Sequence, residues 1–314
     1  MKLIIQIPCY NEEETLGVAI ADLPREVAGF DTVEWLVVND GSSDRTSEVA
    51  RKLGVDHVID RPHQGLARTF MAGIEACLAA GADVIVNTDA DNQYQAADIP
   101  NLVAPILAGE ADMVIGERPI LEIEHFSPVK KVLQRIGSWV VRKASQTTIA
   151  DAPSGFRAIS REAAMQMNVF NEYTYTLETI IQGGQGSLRV ISVPIRTNGF
   201  LRPSRLFKSI PAYIQRSILT IFRIFVVYKP LRFFSYVGAI PFLLGTALMI
   251  RWLWLWLVVD TTRTHVPSLI AAAVLVLTGV QIFALGFVAD VIAVNRRLLE
   301  DIQLRLRRAE FDRK

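Results

Sequence analysis

Residues 84–93 read Val84-Ile85-Val86-Asn87-Thr88-Asp89-Ala90-Asp91-Asn92-Gln93. The apolar, β-branched opening is the pattern of a strand buried on both faces. It runs into two carboxylates two positions apart, then an amide. In an extended segment successive side chains alternate faces, so this spacing predicts Asp89 and Asp91 on one side. Two hard oxygen ligands at the carboxyl end of a buried strand suit Mg²⁺ or Mn²⁺. Such ions take one or two protein carboxylates and fill their shell with water and substrate phosphates. Open α/β sheets bind ligands at that end of their strands. A solvated acidic turn is the plainer alternative, and Asp-x-Asp alone does not decide between them. The strand before it and the motifs around it favour a metal–diphosphate site.

Outward from this stretch, strand and helix patterns alternate. Leu3–Ile7 reads as a buried strand that Pro8-Cys9-Tyr10-Asn11 breaks. Glu12–Arg25 reads as a helix with Asn11 as its N-cap and acidic residues in its first turn. Trp35–Asn39 is a second strand, closed by Asp40-Gly41-Ser42-Ser43-Asp44, which feeds a helix to about Leu53. His57–Ile59, Asp83–Thr88 and Asp112–Gly116 read as strands, Gln64–Ala80 and Ile99–Ala108 as helices. Asp151–Arg157 reads as a turn entering a short strand, Gly183-Gly184 as a break, and Leu188–Val193 as a late strand. The alternation predicts a mostly parallel sheet with helices on both faces. Three loops rich in carboxylates and amides then meet at one sheet edge: 8–12, 40–44 and 89–93. Neither a Gly-x-Gly-x-x-Gly fingerprint nor a P-loop is present, so dinucleotide and P-loop readings lose their support. An acidic pocket holds a diphosphate only through a bridging cation.

The 314 residues carry a net charge of +1, which points away from nucleic acid as a partner. Hydrophobic residues make up 51%, with a mean hydropathy of +0.29. The excess lies after about residue 205, so a soluble domain is expected to be followed by a membrane segment. Cys9 and Cys77 form neither a metal spacing nor a disulfide framework, and a reducing compartment fits. The apolar run 3–9 is too short for a signal peptide.

Pro8-Cys9-Tyr10-Asn11-Glu12, Asp40-Gly41-Ser42-Ser43-Asp44 and Asp89-Ala90-Asp91-Asn92-Gln93 together resemble the motifs of family 2 glycosyltransferases with the GT-A (Rossmann-like) fold. Ser154-Gly155-Phe156-Arg157 narrows the likeness to dolichol-phosphate mannose synthases and related polyprenyl-phosphate glycosyltransferases. The resemblance covers about residues 3–210. It implies that Pro8, Tyr10, Asn11, Glu12, Asp40, Asp89 and Ala90 hold the nucleotide. It implies that Asp89, Asp91 and Gln93 organise metal and diphosphate, with Asp91 and Arg118 catalytic and Arg118 facing the phosphates. Lys131 stands where a phosphate-binding basic residue is usual. The chain departs from the family in having His63-Gln64-Gly65 for Gly-Lys-Gly, Tyr94 for His, and Arg202-Pro203-Ser204-Arg205 for Arg-Gly-Glu-Ser-Lys. For His63 an exposed turn residue is favoured over a catalytic one.

Residues 126–145 carry an apolar stripe beside Lys130, Lys131, Arg135, Arg142 and Lys143. A surface helix with a solvated basic face and an amphipathic lid at an anionic membrane both fit. Arg202, Arg205 and Lys208 precede the membrane segment with almost no acid among them, which suits an anionic lipid headgroup. Ile210–Phe225 has the apolar stripe of an interfacial helix. Phe233–Ile250 and Val266–Ala289 are each long enough, or nearly so, to span a bilayer. The loop between them holds only Arg263, whereas the outer flanks hold Lys229, Arg232, Arg296, Arg297, Arg305, Arg307 and Arg308. The positive-inside rule then places both flanks in the cytoplasm.

The organisation expected is a cytoplasmic catalytic domain over 1–205, interfacial helices over 206–230, a transmembrane hairpin over 231–295 and a basic cytoplasmic tail over 296–314. The resemblance implies inverting transfer of a hexose from a nucleotide sugar, GDP- or UDP-linked, to a polyprenyl monophosphate, dolichyl or undecaprenyl. A homo-oligomer stays open. Two rivals are a transferase acting on a sugar hydroxyl and a non-catalytic nucleotide-sugar sensor. A hydroxyl acceptor needs a base, and the Gln-x-x-Arg-Trp signature of processive synthases is absent.

Overall fold

A computed structural model describes residues 1–119, 137–139, 141–142, 145–169, 175–186, 188–199, 222–223, 226, 230–258 and 266–311. Lys131, Arg202, Arg205 and Lys208, most of the 126–145 stripe, most of the 210–225 stripe and the 260–265 loop lie outside the described residues. The chain divides into two compact units, Met1–Ile218 with Ile302–Lys314, and Leu219–Asp301.

The first unit is built on a seven-stranded sheet. Its strands are β1 (Lys2–Cys9), β2 (Thr32–Asn39), β3 (His57–Asp60), β4 (Val84–Asn87), β5 (Met113–Glu117), β6 (Arg157–Ser160) and β7 (Val190–Pro194), in the order β3-β2-β1-β4-β6-β5-β7. All neighbours run parallel except β6, which is antiparallel to both β4 and β5. The sheet is therefore mixed, as a mostly parallel sheet allows. Leu3, Ile4, Ile5 and Ile7 are fully buried, and each such side chain contributes about 1.5–3 kcal/mol. That burial on both faces is why the most apolar strand lies in the interior of the sheet.

Around the sheet lie α1 (Leu16–Ala21), α2 (Thr46–Lys52), α3 (Leu66–Ala79), α4 (Ile99–Leu107), α5 (Arg161–Gln166) and α6 (Thr176–Gln185). Leu3, Ile5 and Ile7 share one core with Leu16 and Ile20 of α1 and Ile99 and Leu102 of α4. On the opposite face Gln6 meets Gly73 and Cys77 of α3. Both faces are covered, as the strand–helix alternation predicts.

Several local expectations change. Pro8 and Cys9 do not break β1; both stay in register with Val38 and Asn39 of β2. A proline lacks a donor, and the parallel ladder tolerates it here at the strand's end. The helix expected from Glu12 shrinks to α1, with Thr15 and not Asn11 at its N-cap position. Asn11 instead takes φ 55° and its side-chain oxygen accepts from Ser43 N–H at 2.8 Å. Asn favours that conformation because its short polar side chain bonds locally. Gly183-Gly184 is no break but part of α6, where a Cβ on Gly184 would collide with the Ser145 carbonyl. Two glycines there serve close packing.

In the second unit, helix α7 (Pro230–Val258) and the first part of helix α8 (Val266–Phe311) are longer than the apolar runs suggested. Their most apolar 18-residue windows are only 11% and 17% buried, unlike the mostly buried core helices of a soluble domain. A Cβ on Gly238 would sit 3.1 Å from the Gly279 carbonyl, and one on Gly279 would sit 2.9 Å from the Gly238 carbonyl. Small residues bring the two backbones together, the usual packing where apolar burial does not drive association. The stretch expected as a basic tail is helical to Phe311. From Ile302 it belongs to the first unit, where Arg307 is buried and donates to the carbonyls of Met165 and Met167.

Candidate active site

The loops after β1, β2 and β4 meet at the carboxyl edge of the sheet because these three strands are parallel neighbours. The first two loops are zipped together. Asn11 N–H donates to Ser42 Oγ at 2.9 Å, Glu12 N–H to Thr46 Oγ1 at 2.9 Å, and Glu13 N–H to Asp44 Oδ2 at 3.1 Å. Each bond satisfies a backbone donor that a turn leaves without a ladder partner.

Asp40 is buried, and its carboxylate accepts from Gln64 N–H and Gly65 N–H, both at 2.9 Å. His63 Nδ1 lies 2.9 Å from the same carboxylate, and its ring stacks on Tyr10 with centroids 4.3 Å apart. Tyr10 stays 44% exposed, so the stacked pair presents an aromatic face at the mouth of the site. His63 is thus held by both Asp40 and Tyr10. The sequence signal for this was weak, because a turn histidine carries no spacing pattern.

The Asp-x-Asp loop is not extended. β4 ends at Asn87, residues 90–91 form a turn, and Asn92 has φ 53°. Strand alternation is therefore not what relates Asp89 to Asp91; a turn is. The two carboxylates still act on one another. Burial and the Asp91 charge push the Asp89 carboxyl up to about 7, while the Arg118 charge and a hydrogen bond from the Tyr94 hydroxyl oppose the rise. Ala90 between them is buried in the core and anchors the turn. Gln93 N–H donates to Asp91 Oδ1 at 3.2 Å.

Beneath Asp89 the packing is tight. A Cβ on Gly155 would lie 2.9 and 3.1 Å from the two Asp89 carboxylate oxygens and 3.0 Å from the Tyr175 hydroxyl. Only glycine leaves that space to the carboxylate. Asn87, fully buried, donates to the Gly155 carbonyl at 2.8 Å and the Tyr175 hydroxyl at 2.9 Å, and accepts from Gln6 at 2.9 Å. Arg157 is also fully buried and donates to the carbonyls of Ser154 and Ala152. It ties down the loop that carries Gly155.

Arg118 is buried against Asp151, with Nε 2.6 Å from Oδ2 and Nη2 2.9 Å from Oδ1. The guanidinium expected to face phosphates is thus forked onto a carboxylate, though its charge still reaches Asp89. Asp151, Tyr94 and Asn198 were not singled out as site residues from sequence. Their legible signs were position, beside the Ser-Gly-Phe-Arg motif, beside the Asp-x-Asp loop and shortly after the last strand, and for Tyr94 its standing where the family has His.

Whether this donor set fits a divalent cation can be judged from its chemistry. Two neighbouring carboxylates, one of them raised by burial and by the charge of the other, are the groups a cation relieves. Among the described residues no group of three or more His, Cys, Asp or Glu gathers. The remaining ligands would therefore come from a diphosphate, water and the Gln93 amide, which matches the way Mg²⁺-type ions are held. The residues fit.

Comparisons agree with this geometry. The C-terminal hairpin profile named for GtrB matches residues 229–294. Glycosyltransferase AglJ of Haloferax volcanii is 27% identical over 309 residues, covering 95% of this chain and 96% of its own. The dolichyl-phosphate hexose transferase of the same organism is 30% identical over 197 residues, 62% of this chain and 81% of its own. The undecaprenyl-phosphate mannosyltransferase of Micrococcus luteus is 28% identical over 206 residues, 62% of this chain and 83% of its own. In structure, glucosyl-3-phosphoglycerate synthase from Mycobacterium tuberculosis, solved with Mn²⁺, uridine diphosphate and glucosyl-3-phosphoglycerate, has a TM-score of 0.54 at 20% identity. It covers 72% of this chain and 78% of its own, and shows the shared GT-A fold. The glycosyl transferase family 2 profile spans residues 4–167, just over half of the chain and a range that takes in the three loops that the sheet brings together; the chain belongs to glycosyl transferase family 2.

Proposed function

We propose that this glycosyltransferase moves a hexose from a nucleotide sugar to a polyprenyl monophosphate, with inversion, releasing a nucleoside diphosphate. The observation that carries the reading is the joining of an Asp-x-Asp site on a GT-A sheet to a C-terminal hairpin of two long apolar helices. Relatives named for undecaprenyl- and dolichyl-phosphate sugar transfer support it.

In this reading Pro8, Tyr10, Asn11, Glu12, Asp40 and Ala90 hold the nucleotide, and the Tyr10–His63 face offers it a stacking surface. Asp89, Asp91 and Gln93 would hold Mg²⁺ or Mn²⁺. When bound, the cation neutralises charge developing on the leaving diphosphate. Arg118, kept in place by Asp151, adds fixed positive charge beside those carboxylates. Lys131, Arg202, Arg205 and Lys208 take the acceptor phosphate. A phosphate monoester has a second pKa near ~6, so the acceptor is largely a dianion at neutral pH. Its oxygen attacks without a dedicated base. The catalytic region is 1–205, the membrane hairpin 231–295, and the basic flanks keep both termini cytoplasmic.

The test is a screen of GDP- and UDP-linked hexoses against undecaprenyl and dolichyl phosphate, with Mn²⁺, Mg²⁺ or excess chelator. One donor should yield a lipid-linked sugar, and chelation should abolish it. Transfer to a sugar hydroxyl with no use of lipid phosphate would overturn the acceptor assignment. Donor binding without turnover across the screen would favour a sensor.

A further inference from the structure

Asn92 holds a backbone angle that residues other than glycine seldom adopt, with φ 53°. It stands between Asp91 and Gln93, two of the residues proposed to hold the cation. The left-handed region costs free energy and persists where the surroundings enforce it. Asn tolerates it through a bond from its short polar side chain. Here that bond is distant in sequence: Asn92 Nδ2 donates to Asp22 Oδ2 at 2.8 Å, 70 residues back along the chain.

Asp22 runs against its own surroundings. It is the C-cap residue of α1, where its N–H donates to the Val18 carbonyl at 3.3 Å. A helix C-terminus presents carbonyl oxygens and favours positive charge, so a carboxylate there is locally unfavourable. Neither residue follows its local preference, and the two are bonded to each other. Local rules broken in this way mark a position where another requirement outweighs them. The same helix anchors the turn through the core as well, since Ala90 shares one cluster with Leu16, Ile20 and Leu23. The Asn92 carbonyl accepts from Asn198 Nδ2 at 3.1 Å, so main chain and side chain are both held.

We propose that Asp22 and Asn92 are a positioning pair that fixes the left-handed turn between Asp91 and Gln93, and with it the spacing of the cation's ligands. Were Asn92 to relax to negative φ, the following peptide would rotate and break the bond from Gln93 N–H to Asp91 Oδ1, now 3.2 Å. Neither member of the pair touches a reacting atom. The inference rests on the proposed metal-dependent transfer, and deepens it by naming the residues that set the geometry of its cation site.

Asp22 is exposed, so Asp22→Ala opens no cavity and water can meet the Asn92 amide. Asp22→Asn keeps an acceptor oxygen, whereas Asn92→Gly keeps the positive φ and removes the donor. Calorimetry of the full chain in detergent would measure binding of UDP and of GDP with Mn²⁺ and with excess chelator. Asp22→Ala should weaken the Mn²⁺-dependent part about fivefold, the scale of one net hydrogen bond, and leave binding in chelator at the wild-type level. Asp22→Asn should stay close to wild type. Asn92→Gly should lose as much as Asp22→Ala, and the double variant no more than either, because one bond is removed in all three. A purely structural role would instead lower the urea midpoint and leave the cation-dependent part unchanged, which would overturn the inference. Wild type that binds nucleotide with no cation requirement would overturn the proposed function and this inference together. A cation requirement in wild type, with both single variants matching its affinity or with losses that add in the double variant, would overturn this inference alone.

Discussion

Replacing Asp151 with leucine tests the buried charge pair beside the site. Its carboxylate is fully buried, and the Arg118 side chain that it pairs is 8% exposed, with bonds of 2.6 and 2.9 Å. Removing the carboxylate leaves a guanidinium out of water with its fork unmet. Breaking a buried pair from one side typically costs about 3–5 kcal/mol. That is a large share of a domain's ~5–15 kcal/mol, so Asp151→Leu should fall well down the urea axis. Removing both charges is another matter. In the double variant Arg118→Met with Asp151→Leu no charge remains to desolvate, and apolar replacement of a buried pair is often neutral or better. The double variant should therefore be more stable than Asp151→Leu alone, with a coupling of at least about 2 kcal/mol in a double-mutant cycle. The assay is urea unfolding of the full chain in detergent, comparing midpoints at unchanged slope. Transfer should be lost in all three variants. If the two single losses simply added, the pair would not be an electrostatic unit, and Arg118 would not be held by Asp151 in the way the distances imply.

Arg202→Ala and Arg205→Ala should each lower use of lipid phosphate about ten- to a hundredfold and leave donor affinity nearly intact; a transfer-rate titration beside donor calorimetry separates the two. Lysine at either position should rescue poorly, since it lacks the planar fork. Cysteine introduced near Thr262 should react with an impermeant reagent from outside the cell and one near Arg313 should not, the reverse pattern overturning the proposed orientation. Asp98 is depressed below its usual carboxylate range: burial raises it, but the Arg196 guanidinium and backbone N–H more than offset that. A depressed carboxylate stabilises the fold above its unfolded pKa of about 4 and loses that contribution as pH falls through its lower folded value. Asp98→Asn should therefore flatten the acid limb of the stability profile while moving the neutral-pH midpoint down.

Some features of this protein follow from local pattern alone. The run Leu3–Ile7 and the run Val84–Val86 each declare a buried strand, because a backbone buried on both faces admits little but apolar, β-branched side chains. The three acidic and amide-rich loops were legible because each stands directly after such a run. The two long apolar stretches were legible because a bilayer imposes a minimum length. Boundaries were less so: Glu12–Arg25 has helical composition, yet only Leu16–Ala21 is α-helical, since Asn11 to Glu13 are bonded across to Ser42, Ser43 and Asp44. Those partners lie about thirty residues away in sequence, beyond any local window.

Tertiary structure alone decided the rest. Asp151 and Arg118 are 33 residues apart, Asn87 and Tyr175 are 88 apart, and Asn198 and Asn92 are 106 apart. No periodicity links such positions, because they meet only when β6 inserts antiparallel between β4 and β5 and β7 closes the far edge. The sequence by itself determined which side chains are available for metal and phosphate chemistry. Which of them a buried partner restrains, as Asp151 restrains Arg118, is settled by desolvation. A polar group removed from water must find its bond wherever the fold brings one.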